Sequence, residues 1–114
     1  MSAAASSLAR VLSISTDLML GSRVDAGLSA AGHEVVTAGS LAGAPLDGID
    51  AIVADLDIEK PEALVAVGVP VLGYYSHVDV ETKAVADAAG IDKVVPRSRM
   101  ARELPDLVAA LLGG

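Results

Sequence analysis

The chain has 114 residues, no Cys, Trp or Phe, only two Tyr, and a formal net charge of −7. One domain with a core of Ala, Val, Leu and Ile fits that length, and disulfides, thiolate metal sites and Cys nucleophiles are excluded. The acidic balance disfavours nucleic-acid backbones and anionic membrane surfaces, and no unbroken run of about 18 apolar residues is present to span a bilayer.

The start, MSAAASSLARVLSIS, has one Arg and no long apolar block before a cleavage site. Residues 1–8 are read as a short disordered lead rather than a signal peptide, and a cytoplasmic protein is the default. Arg10–Ser15 (RVLSIS) predicts a first strand. Thr16 or Asp17 can cap a helix whose inward face uses Leu20, Val24, Leu28 and Ala31, and Gly32 ends it. Glu34–Thr37 predicts a second strand. Residues 38–49 (AGSLAGAPLDGI) are rich in Gly, Ala and Pro, so a stunted helix or a loop is expected there. Asp50–Ala54 predicts the third strand. Residues 58–67 can hold one short helix with Pro61 in its first turn.

Val69–Tyr74 (VPVLGY) predicts the fourth strand, Val80–Ala89 a helix ended by Gly90, and Lys93–Val95 the fifth strand. A last helix carries Leu104, Leu107, Val108, Leu111 and Leu112, with Pro105 in its first turn and a distorted turn before it. Five short apolar strands alternating with helices indicate parallel crossovers and a three-layer α/β sandwich, residues 9–114 forming one domain. In such open sheets the site lies outside the carboxyl ends of the strands. Those ends are Ser15–Asp17, Asp55–Asp57, Tyr74–His77 and Pro96–Ser98.

The stretches VLSISTD, AAGHEVVTA, DAIVADLD, VPVLGYYSHVD and AAGIDKVVPRS stand in order over residues 9 to 112. Together they resemble the receiver domain of two-component response regulators, including the CheY-like single-domain members. The resemblance implies a flavodoxin-like, CheY-like fold: a five-stranded parallel sheet in the order 2-1-3-4-5, here with shortened second and third helices. It also implies a site. A working receiver has an acceptor carboxylate at the third strand's end, and two acidic residues at the first strand's end that help hold a divalent cation. A Thr or Ser follows the fourth strand, and a Lys follows the fifth. The acceptor position falls on Asp55. The acidic pair falls on Ser15 and Thr16, the Thr/Ser position on Tyr75 beside Ser76, and the Lys position on Arg97.

These departures have physical consequences. Ser and Thr hydroxyls are neutral and poor substitutes for carboxylates around Mg²⁺. Arg97 keeps a positive charge but is a planar fork, not a compact ammonium. Tyr75 is bulkier than Thr and would plug the phosphate space or swing outward. Asp17 adjoins the pair but reads as a helix N-terminus, and Asp57 lies two residues past the acceptor. No metal site is expected, Asp17 and Asp55 being the carboxylates that could contribute to one. An Asp55–Arg97 ion pair is the expected arrangement, and the whole reads as a degenerate, or pseudo-, receiver. The fifth strand holds Val94 or Val95 where receivers often carry a switching aromatic.

Other candidates weigh less. Ser76, His77 and Asp79 imitate a triad, but adjacent residues rarely aim at one reacting atom; His77 is better read as a helix cap or exposed. His33 is expected at the surface. SRMAR (98–102), a local basic cluster, reads as a solvated helix start or an anionic contact. No Gly-rich phosphate loop is present.

The leading function is therefore a stand-alone, non-enzymatic signalling or protein-interaction module in a two-component-like pathway, since no output domain follows Gly114. Its partner would be a protein, such as a kinase or regulator, or a second copy. The contact face would draw on Val80–Ala89, Lys93–Val95 and Arg99–Leu112. The alternatives are an atypical receiver phosphorylated on Asp55 with Mg²⁺, and a small-molecule binder of flavodoxin-like fold. No other cofactor, nucleic acid or membrane is implied.

Overall fold

The computed structural model describes residues 9–76 and 80–113. The expectations for residues 1–8, His77 and Asp79 lie outside them. In chain order the elements are β1 (Arg10–Ile14), α1 (Leu18–Ala30), β2 (Glu34–Ala38), β3 (Ala51–Asp55), α2 (Pro61–Val65), β4 (Val71–Tyr75), α3 (Val80–Ala89), β5 (Lys93–Pro96) and α4 (Arg97–Leu111). Among the described residues the sheet has five parallel strands in the order β2-β1-β3-β4-β5. That is the predicted three-layer topology.

Strand alternation divides the core into two layers. Val11, Ala51, Val53, Leu72, Tyr74 and Val95 face α1 and α4, where they meet Leu20, Val24, Leu28, Met100, Leu104 and Val108. Leu12, Ile14, Ile52, Ala54 and Val71 face the other way, against Leu64, Ala86 and Ile91. β1, β3 and β4 are buried on both faces, which is why their sequences are continuous apolar runs rather than alternating ones.

The helix ends follow local chemistry. Asp17 is the cap of α1, its Oδ1 accepting the Leu20 N–H at 3.1 Å. At the other end Gly32 takes φ +97°, donating to the Ser29 carbonyl at 3.0 Å while His33 donates to that of Leu28 at 3.0 Å. This paired closure tucks the residue after the glycine under the helix end. His33 is consequently buried, with Nδ1 unpartnered, and not at the surface as its sequence context predicts.

After Ala38, which still belongs to β2, residues 39–49 form turns and no helix, with Leu41, Ala44 and Ile49 laid against the core. The following helix is five residues long, with Pro61 at its start. Two of the crossovers are thus shortened. The last helix is helical from Arg97 but breaks at Glu103, whose φ/ψ are −114° and 17°. Pro105 lies in the first turn after that break, because its ring is compatible with a helix only there.

Candidate functional site

Asp55 closes β3 inside the strand, one residue later than the predicted strand end. The register sets it opposite Tyr74 of β4 and places Ala54 opposite Ile14 of β1, so Ser15 follows alongside Asp55. Alternation turns Asp55 and Tyr74 toward the face covered by α1 and α4. Asp55 is 6% exposed. Its Oδ1 accepts the Asp57 N–H at 2.8 Å, and its carbonyl accepts from Ile58 and Glu59 at 3.2 and 3.1 Å. An Asx-type turn therefore holds the carboxylate at the strand tip.

Burial pushes the Asp55 carboxyl above its ordinary value. The Asp57 N–H and the Arg97 charge pull it back, while the Asp57 and Asp17 carboxylates push it further up. Between the ordinary and the raised pKa, the folded chain keeps a proton that the unfolded chain has released. Stability therefore falls as pH rises through that window, and the penalty is complete above it. Asp55→Asn keeps an oxygen for the Asp57 N–H and removes the charge. Its thermal midpoint should exceed the parent's by a few degrees at neutral pH, and the difference should vanish below the ordinary Asp range. A midpoint below the parent's at neutral pH would contradict this account.

Arg97 does not pair with Asp55, as the sequence predicts, but with Oδ2 of Asp17. Asp17 is the better partner because the helix cap already holds it in place and both side chains are about one-third exposed. The Leu20 N–H, and then Arg97, keep the Asp17 carboxyl below its usual value. The Ser15 hydroxyl oxygen accepts the Asp17 N–H at 3.0 Å, fixing the turn from β1 into α1. Thr16 is exposed. Asp57 Oδ2 accepts the Ser76 N–H at 3.2 Å and ties the β3 turn to the end of β4.

Tyr75, expected either to plug the phosphate space or to swing outward, lines a cleft of about 700 Å³ with Asp17, Met19, Arg23, Ser76 and Arg97; Asp55 does not line it. Tyr74 is 1% exposed and its phenol is the aromatic group near the acidic site. Burial raises its pKa. The Ser15 hydroxyl lies close enough to offset part of that rise but not within hydrogen-bond geometry, so the phenol oxygen has no partner. The basic cluster is internally satisfied: Arg99 and Arg102 both reach Glu103, at 3.4 and 3.1 Å.

Gly73 had no signal in sequence beyond its lone place in a strand. A Cβ there would stand 2.8–2.9 Å from the Leu56 side chain, so the glycine makes room for the residue beside Asp55.

Mg²⁺ takes near-octahedral oxygen donors, with one or two carboxylates from the protein. Here both Asp17 oxygens are engaged, one by the Leu20 N–H and one by Arg97. One oxygen each of Asp55 and Asp57 accepts a backbone N–H. Among the described residues no group of three or more His, Asp or Glu side chains could hold a metal ion. Asp17 is thus unavailable as a donor, and one oxygen each of Asp55 and Asp57 is what remains for a cation.

No protein-family model matches the chain, and no curated protein matches its sequence. Solved structures do match. A response regulator receiver domain protein from Clostridium thermocellum superposes with TM-score 0.80 at 18% identity, over 93% of this chain and 95% of that one. A CheY-like receiver domain protein from Methanospirillum hungatei gives TM-score 0.80 at 18% identity, over 94% and 95%. The chemotaxis protein CheY4 of Vibrio cholerae gives 0.77 at 22%, over 93% and 100%. The chain has the receiver-domain fold. Among the described residues no helix is long and apolar enough to cross a membrane.

Proposed function

We propose that the chain is a receiver-fold signalling module of a two-component-like pathway that works by binding a protein partner, without accepting a phosphoryl group and without catalysis. One observation carries this reading: the acid at the end of the first strand, Asp17, is consumed by the α1 cap and by Arg97. Asp55 keeps the acceptor's place, but of the carboxylates around it Asp17 is fully engaged and Asp57 has one oxygen committed to the Ser76 N–H. Phosphoryl transfer of this type rests on charge neutralisation by a cation.

The surface for a partner is the face of α3, β5 and α4. It exposes Val85 among charges that are largely paired within their own helices, such as Lys83 with Asp87 at 2.7 Å. A regulator, a kinase or a second copy of the chain would meet this face. A net charge of −7 argues against nucleic acid and anionic membranes as partners.

Incubation with acetyl phosphate and Mg²⁺, followed by intact-mass measurement, tests the reading. The expected result is an unchanged mass. A gain of one phosphoryl group that disappears in Asp55→Asn would establish a genuine phosphoacceptor instead.

A further inference from the structure

A second cleft, of about 470 Å³, opens between α1 and the carboxyl ends of β1 and β2. Its floor is Ser13, which is 2% exposed. The register sets Ser13 opposite Thr37 of β2, and both line the cleft. Ser13 and Thr37 thus bring two hydroxyl-bearing residues side by side to the strand side of the cleft. The helix wall is unusual. Gly21 lies inside α1, where Gly is among the poorest residues, yet a Cβ there would meet nothing within 4 Å. Packing does not require that glycine, and its lack of a side chain leaves this stretch of the cleft open. Ser22 and Asp25 complete the wall.

We propose that this cleft binds a small, uncharged polyol, independently of the reading of Asp55. Ser13, Ser22 and Thr37 offer hydroxyls that both donate and accept, which suits a ligand whose groups do the same. No Lys or Arg lines the cleft, while Asp17 and Asp25 do, so an anionic ligand is repelled. Asp25 Oδ1 accepts the Ser29 hydroxyl at 2.9 Å, and its other oxygen is free to accept from the ligand.

Titrating the protein with myo-inositol while following backbone amide shifts tests this. Shifts confined to the segments around residues 13–16, 21–25 and 37–39 are expected, with no such shifts from inositol monophosphate. Gly21→Leu should abolish them without lowering the thermal midpoint, since the added side chain occupies the cleft and improves the helix. Thr37→Val keeps the shape at an exposed strand position and removes one hydroxyl, so affinity should fall about tenfold. Absent or scattered shifts, equal response to the phosphate ester, or unchanged binding in both variants would overturn the proposal.

Discussion

The double variant Ser15→Asp, Thr16→Asp should melt at a temperature set by Mg²⁺, while the parent melts at the same temperature in EDTA and in Mg²⁺. Ser15 follows Ile14, which pairs with Ala54, so the new carboxylate at 15 stands beside Asp55. Asp55 is already held above its ordinary pKa by burial and by the Asp57 carboxylate. A further negative charge there is unfavourable, and in chelator the variant should lose about 1–3 kcal/mol. Mg²⁺ would reverse the sign of this local electrostatics by supplying the charge that the added carboxylates lack. Saturation at a hundred times the dissociation constant stabilises the folded state by about 2.7 kcal/mol. For a domain of this size that is roughly 10 °C in midpoint. A parent chain that shifts as far as the variant would show that the existing donors already suffice, and the proposed function would fall with it.

The fold was legible because its signals are local. Branched apolar runs such as DAIVADLD mark strands buried on both faces, and Gly32, Gly90, Pro61 and Pro105 punctuate the helices where backbone chemistry demands it. Which residue types stand at the strand ends was equally legible, since composition there is visible without coordinates. Partner choice was not. Asp17 and Asp55 both compete for Arg97, and the outcome depends on a cap fixed 80 residues away in sequence. The alternation of β4 decides which tyrosine faces the acid, and it sets Tyr74 on the face of Asp55. His33 was misplaced because its burial comes from the geometry of the helix end and not from its own polarity.

Replacing Gly73 by Val should lower stability by about 1–3 kcal/mol and loosen the acidic site at the same time. Gly73 is buried in the centre of β4, opposite Ala54 of β3. An added Cβ would approach Cδ1, Cδ2 and Cγ of Leu56 to 2.8–2.9 Å, so the whole side-chain end must move, not one terminal methyl. Leu56 is partly buried against the core layer that contains Ile52, Ala54 and Leu64. Its backbone N–H donates to the Tyr74 carbonyl at 2.8 Å, which limits how far the residue can retreat. Displacement therefore passes into the turn that follows: the Asp57 N–H on Asp55 and the Ser76 N–H on Asp57 are the bonds next in line. Chemical denaturation would give the stability loss, and amide hydrogen exchange would show faster exchange at Asp57 and Ser76 beyond that expected from global destabilisation. Full stability in Gly73→Val would mean that Leu56 repacks freely, and that the glycine is not what seats the turn bearing Asp55.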